Sequence, residues 1–169
     1  DILSLSVIES KMLVLEKKEF DLTELTKNIL NRYEIYTEKD DYKFIFNYND
    51  PIIIEADQAK MEQVFYNLIN NAINYIGDDK EVVVEFIKDK NNVTVNISDH
   101  GVGIDQEEID NIWDKYYRSK KNHKRSIAGT GLGLSIVKRI FELHGYKYGV
   151  KSIKGKGTTM CYNNETIKE

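Results

Sequence analysis

The chain has 169 residues, a formal net charge of -4, 41% hydrophobic residues and 31% charged residues, enough apolar material for one domain with a sizeable core and a solvated surface. This charge balance creates no broad positive field and argues against non-specific nucleic-acid binding. One cysteine, Cys161, and three scattered histidines leave neither an internal disulfide nor a cysteine–histidine zinc pattern, and point to a reducing, cytosolic setting.

At the N-terminus, Ile2, Leu5, Ile8 and Met12 fall at helical spacing and predict the tail of an amphipathic helix. The stretch lacks the basic start of a signal peptide, and its abrupt beginning without Met suggests a piece of a longer protein. "KKEFDLTELTKNILNRYE" predicts a second helix, with Asp21 as N-cap, Glu24 completing a capping box and Leu22, Leu25, Ile29 and Tyr33 as the apolar stripe. "YKFIFNYN" alternates like a half-buried strand, and "PIIIEA" follows as a short one after the single proline, Pro51.

Residues 57–76 form the longest predicted helix, its apolar face running from Met61 through Val64, Phe65, Leu68, Ile69, Ala72 and Ile73 to Ile76. "GDDK" breaks it. "EVVVEFIKD" and "NVTVNISD" read as a hairpin, "DQEEIDNIW" as a short helix and "SKKNHKRSIA" as a basic, mobile loop. Residues 132–143 predict another amphipathic helix stopped by Gly145, and "YGVKSIKGKGTTMCYN" a strand, glycine turn and strand. The order predicts an α+β two-layer sandwich, a sheet covered on one face by helices.

Three stretches carry chemistry. "NLINNAINYI", residues 67–76, places four asparagines inside ten residues of the longest helix, although each is a poor helix former. On a helical wheel Asn67, Asn71 and Asn74 lie together, away from the centre of the apolar face. A carboxamide offers donors and an acceptor without net charge, so such a row can ligate a hard cation through oxygen while neighbours meet phosphate. A solvated polar face is the alternative reading of the helix alone. "DHGVGI", residues 99–104, follows a strand directly. Its Gly101 and Gly103 let backbone approach a flat ligand, and Asp99 can accept from an exocyclic amine while rejecting a carbonyl-bearing base. "GTGLGLSIVKRI" carries Gly129, Gly131 and Gly133 into the first turn of a helix, where N–H groups and the dipole suit an anion. Neither a Walker loop nor a G-x-G-x-x-G fingerprint occurs.

In this order, these stretches resemble the ATP-binding domain of sensor histidine kinases, within the GHKL superfamily. "NLINNAINYI" is similar to the N-box, "DHGVGI" to the first glycine box, "IWDKYYR" to the F-box and "GTGLGLS" to the second glycine box; "ELHG" and "GKGTTM" match late signals. The resemblance implies a Bergerat fold with a mixed five-stranded sheet under helices, and ATP and Mg²⁺ as ligands. It implies that Asn71 ligates Mg²⁺, that Asn67 meets phosphate or the metal shell, and that Asp99 takes the adenine amine near Gly101, Gly103, Ile104 and Thr158. It places Arg118 on the terminal phosphate as a catalytic cation beside Tyr117. Gly129, Thr130, Gly131, Leu132, Gly133 and Leu134 close the lid's end over the phosphates, and Asn74 and Tyr75 line the same site. Asn74 departs from the family pattern, which commonly has a basic residue there; Lys121, Lys124 or Arg125 would compensate.

The resemblance further implies that residues 1–18 are the end of a dimerisation helix and linker, and that residues 19–169 are the catalytic domain. Its partners would be the phosphoacceptor domain of its own protein and a response regulator. The piece would be monomeric, and the parent a homodimer with this part in the cytosol. None of His100, His123 or His144 has the sequence context of the family's phosphoacceptor. Three other readings stay open: an ATP-hydrolysing GHKL clamp, disfavoured because that class has glutamate where Asn67 stands, a nucleotide-binding module without transfer activity, and a soluble serine kinase of the anti-sigma type, disfavoured by the linker-like start.

Overall fold

The computed structural model describes residues 14–114 and 133–167, so the predicted N-terminal helix and the basic loop lie outside the described residues. In chain order the elements are β1 (Lys17–Asp21), α1 (Leu22–Asn31), α2 (Glu34–Asp40), β2 (Lys43–Phe46), β3 (Ile53–Asp57), α3 (Gln58–Asn74), β4 (Glu81–Lys88), β5 (Asn92–Asp99), a 3-10 turn (Ile109–Asn111), α4 (Gly133–His144), β6 (Lys147–Ile153) and β7 (Gly157–Glu165).

Five strands form one mixed sheet in the order β2-β4-β5-β7-β6. β2 runs parallel to β4, and the other pairings are antiparallel. Alternation decides the faces. Val82, Val84, Phe86, Val93, Val95, Ile97, Met160 and Tyr162 point inward and are buried. They meet Met61, Val64, Phe65, Leu68 and Ile69 of α3, Leu25 and Ile29 of α1, and Ile136, Val137, Ile140 and Phe141 of α4 in one core. The two-layer α+β sandwich with a mixed five-stranded sheet is therefore the architecture of the chain.

Three local features differ from the sequence expectations. "KKEFD" is a strand, not the start of a helix: β1 pairs antiparallel with β3, Phe20 opposite Ile54 and Lys17 opposite Asp57. Its charged, alternation-poor sequence carries little strand signal of its own, and a partner distant in sequence decides it. Asp21 caps α1, accepting from the N–H groups of Thr23 and Glu24, and also accepts from Ile52 N–H at 3.1 Å. The reciprocal capping-box bond from Glu24 is not made among the described residues. "DQEEIDNIW" closes as successive three-residue turns, with Glu108 N–H on Asp105 C=O and Asn111 N–H on Glu108 C=O; too few residues are available to offset the cost of nucleating a full helix. Cys161 lies in β7, half-exposed, on the sheet face turned away from the helices.

α4 ends as predicted, with Gly145 at φ 71. Its last residue, His144, fastens α4 to the start of α3: Nδ1 donates to Ile140 C=O at 2.8 Å, and Nε2 accepts from Asp57 N–H at 3.1 Å. Both ring nitrogens are engaged and burial lowers the pKa, which makes this a neutral structural histidine.

Candidate nucleotide site

Among the described residues, most of the asparagine row keeps its amides unspent after folding. Asn67, Asn70, Asn71 and Asn74 are all half-buried on α3. Asn70 is a structural residue, its Oδ1 accepting from the Tyr33 hydroxyl at 2.8 Å. The side chains of Asn67, Asn71 and Asn74 form no hydrogen bond among the described residues, and Asn74 Oδ1 is buried without a partner. A buried amide oxygen in that state costs about 1–3 kcal/mol. Poor helix formers with unused hydrogen-bonding capacity are a burden to the fold alone, which is the physical reason to look for a ligand.

Gly133, at the described start of α4, brings the second glycine-rich stretch to this row. A Cβ at Gly133 would lie 3.5 Å from Asn67 Oδ1. Leu134 packs partly buried against the core. Tyr75 caps α3 with its N–H shared between Asn71 and Ala72 C=O, both at 3.3 Å.

Asp99 closes β5 on the inner face of the sheet, where antiparallel register places it beside Thr158, and Thr158 beside Ser152. Asp99 is only 4% exposed. It accepts from Gly101 N–H at 2.9 Å and from Thr158 N–H. Burial pushes its pKa up to about 7; those two backbone bonds and the nearby His100 oppose the rise.

Ser152, which sequence reasoning missed, organises the row. Its hydroxyl donates to Gly157 C=O at 3.0 Å and accepts from Ile104 N–H at 2.7 Å, so at the 2.8 Å contact with Thr158 the Thr158 hydroxyl is the donor. Only the register of β6 against β7 reveals this, and no short motif marks it.

The glycines of the first box have a packing role that the sequence reading did not anticipate. A Cβ on Gly101 would fall 1.5 Å from the Tyr75 carbonyl oxygen, and one on Gly103, at φ 75, would fall 2.4 Å from the Ile153 carbonyl oxygen. The turn after β5 is thus clamped between the end of α3 and the end of β6. The close approach is backbone on backbone, and it holds Asp99 and the asparagine helix in fixed relation. Trp113 of the F-box stands edge-on to Tyr148 at 5.1 Å. Tyr117, Arg118, Gly129, Thr130, Gly131 and Leu132 lie outside the described residues.

The sequence profile of the "Histidine kinase-, DNA gyrase B-, and HSP90-like ATPase" family matches residues 56–163. The chain belongs to this family.

Within it, the chain is of the sensor histidine kinase type. It is 36% identical over 163 residues to the sensor protein kinase WalK of Staphylococcus aureus strain MRSA252, covering 95% of this chain and 26% of that protein. It is 32% identical over 165 residues to the sensor histidine kinase WalK of Bacillus subtilis strain 168, covering 96% of this chain and 27% of that protein. The chain thus spans about a quarter of the length of these relatives. Among solved structures it superposes on the catalytic domain of histidine kinase ThkA in a nucleotide-free form, with TM-score 0.77, 27% identity, and coverage of 89% of this chain and 96% of that one.

An ATPase-family domain implies ATP, and the residues present fit it. Asp99 is an acceptor with spare lone pairs on the buried face, and Asn74 Oδ1 is a buried polar atom awaiting a partner. No described helix is long and apolar enough to cross a membrane.

Proposed function

We propose that the chain binds ATP together with Mg²⁺ and delivers the terminal phosphoryl group to a histidine on a separate helical hairpin, as the catalytic domain of a two-component sensor histidine kinase. The observation that carries this reading is the amide at position 67 beside Gly133. A hydrolytic site needs a general base where water would attack, and a carboxamide takes no proton at neutral pH. An amide there positions a phosphate without activating solvent.

In this reading Asp99 accepts from the adenine amine, with Gly101, Gly103, Ile104 and Thr158 around the base. The Asn71 oxygen ligates Mg²⁺, a hard cation that suits amide oxygen; Asn67, Asn74 and Tyr75 line the phosphate side, with Gly133 and Leu134 opposite. Tyr117, Arg118, Gly129, Thr130, Gly131 and Leu132 complete the site from outside the described residues, with Arg118 as the cation at the terminal phosphate. Bound Mg²⁺ supplies charge neutralisation at the phosphates. Residues 1–18 are the end of a dimerisation helix and linker, although Lys17 and Lys18 already pair with Asp57 and Ala56. The acceptor histidine then passes its phosphate to an aspartate of a response regulator, in a homodimeric parent whose kinase portion lies in the cytosol.

The test is a triple measurement on the 169-residue chain. Saturable Mg·ATP binding, ATP turnover near background, and acid-labile phosphate appearing on an added sensor-kinase hairpin are expected. Rapid turnover by the chain alone would assign it to the clamp-type ATPases, and binding without transfer would leave a nucleotide-binding module.

A further inference from the structure

The "GDDK" break after α3 meets the turn after β5 on the outside of the molecule. Gly77 backs onto His100, where an added Cβ would lie 2.1 Å from the His100 carbonyl oxygen. Lys80 turns the chain at φ 55. Its ammonium is engaged elsewhere, donating to Asp40 C=O at 2.8 Å and lying 5.7 Å from the Tyr42 ring centre. What remains beside His100 is acidic. Asp79 Oδ2 lies 2.5 Å from His100 Nδ1, and one donor atom from each of Asp79, Glu81 and His100 lies within 4.8 Å of the others. The Glu81 carboxylate has no hydrogen-bond or ion-pair partner among the described residues.

An ion pair between His100 and Asp79 accounts for two of these groups and leaves the second carboxylate beside them unmatched. A divalent ion accounts for all three, with two negative charges against two positive and a neutral imidazole as third donor. Donor atoms around a tetrahedral ion with bonds of ~2.0–2.1 Å stand about 3.3 Å apart. Asp79 Oδ2 and His100 Nδ1, now 2.5 Å apart, would open to that separation while Glu81 approaches, and with Asp79 and His100 exposed and Glu81 half-buried, side-chain rotation allows both. The imidazole sets the class of ion: Mg²⁺ and Ca²⁺ take oxygen donors, whereas mixed nitrogen and carboxylate sets suit Zn²⁺ and its neighbours. Two carboxylates and one histidine from separate turns match no cysteine–histidine spacing, so the sequence alone does not disclose the set.

We propose that Asp79, Glu81 and His100 form a surface site for a transition-type divalent ion such as Zn²⁺, completed by water, that ties the turn after α3 to the turn after β5. No member of the set is placed on the nucleotide, although His100 adjoins Asp99, so a test on the nucleotide-free chain separates the proposal from the kinase reading.

Co²⁺, whose visible absorption reports coordination, and Zn²⁺ are titrated into the nucleotide-free 169-residue chain. One saturable Co²⁺ band is expected, together with a rise in Tm on adding Zn²⁺. His100→Ala and His100→Gln should both lose the band and the Tm rise, with the metal-free Tm moving only slightly, since an exposed pair with Asp79 contributes little. Asp79→Asn and Glu81→Gln should weaken binding at least tenfold. Cys161→Ser and His123→Ala should change nothing. The proposal is overturned by the absence of a saturable band, by a band that persists in the His100 variants, or by loss of binding in Cys161→Ser or His123→Ala.

Discussion

Two rows of side chains cross the same inner face of the same sheet, and they are built differently. One row is Phe86, Val95, Tyr162 and Tyr148; the other is Val82, Asp99, Thr158 and Ser152. Asp99, Thr158 and Ser152 are as inaccessible as the aromatic row's Phe86. Burying polar groups costs free energy unless each is hydrogen-bonded, and the second row meets that cost with a hydroxyl network and two backbone N–H groups on Asp99. The first row needs no ligand to be complete. The second retains a carboxylate that burial makes hard to ionise, which is explicable if a ligand's donor arrives there.

The largest effect should come from breaking the aromatic row. Phe141 of α4 lies 4.6 Å from the Tyr162 ring centre and 5.4 Å from that of Tyr148. Phe141→Ala should lower the unfolding free energy by ~3–5 kcal/mol in urea denaturation, while the folded fraction binds nucleotide unchanged. Breaking the polar row should do the reverse. Asp99→Asn should weaken ATP binding by ~1.5–3 kcal/mol, the range for a hydrogen bond to a charged group, and should narrow the preference for ATP over GTP in competition calorimetry.

The same substitution sharpens the contrast through pH. The folded carboxyl titrates at about 7, against 3.8 for an ordinary aspartate. Between those values the folded chain keeps a proton that the unfolded chain has released. Stability therefore falls as pH rises through this window, by up to ~1.4 kcal/mol per pH unit, and the loss is complete above the folded pKa. Asp99→Asn cannot ionise, so its denaturation midpoint should gain on that of the parent chain as pH rises from about 4 to about 7 and run parallel to it above. The smallest effect is expected within the asparagine helix itself. Tyr33→Phe removes the donor to Asn70 Oδ1 and should cost ~0.5–1.5 kcal/mol of stability with no change in nucleotide affinity.

Much of this contrast was legible in the sequence. The alternating strands announced β4, β5 and β7, the apolar stripe announced α3, and the asparagine and glycine stretches supplied the residues of the candidate site. Asn70 shows the limit of the helical wheel: spacing separated it from Asn67, Asn71 and Asn74, but only packing against Tyr33 reveals it as structural. β1 escaped because its identity comes from β3, far along the chain. Ser152 escaped because its role depends on strand register, and the Asp79, Glu81 and His100 cluster because three unremarkable residues meet only when two turns do. The motif "DHGVGI" does not disclose that its glycines also make room for the protein's own backbone.

The most direct test is calorimetric titration of ATP into the parent chain and into Asn71→Ala, each with and without Mg²⁺. If the unspent amides of α3 exist to hold a metal-bound nucleotide, Mg²⁺ should strengthen binding to the parent chain severalfold or more and have little effect on the variant. Equal Mg²⁺ enhancement in both proteins, or no nucleotide binding by the parent chain, would contradict the account.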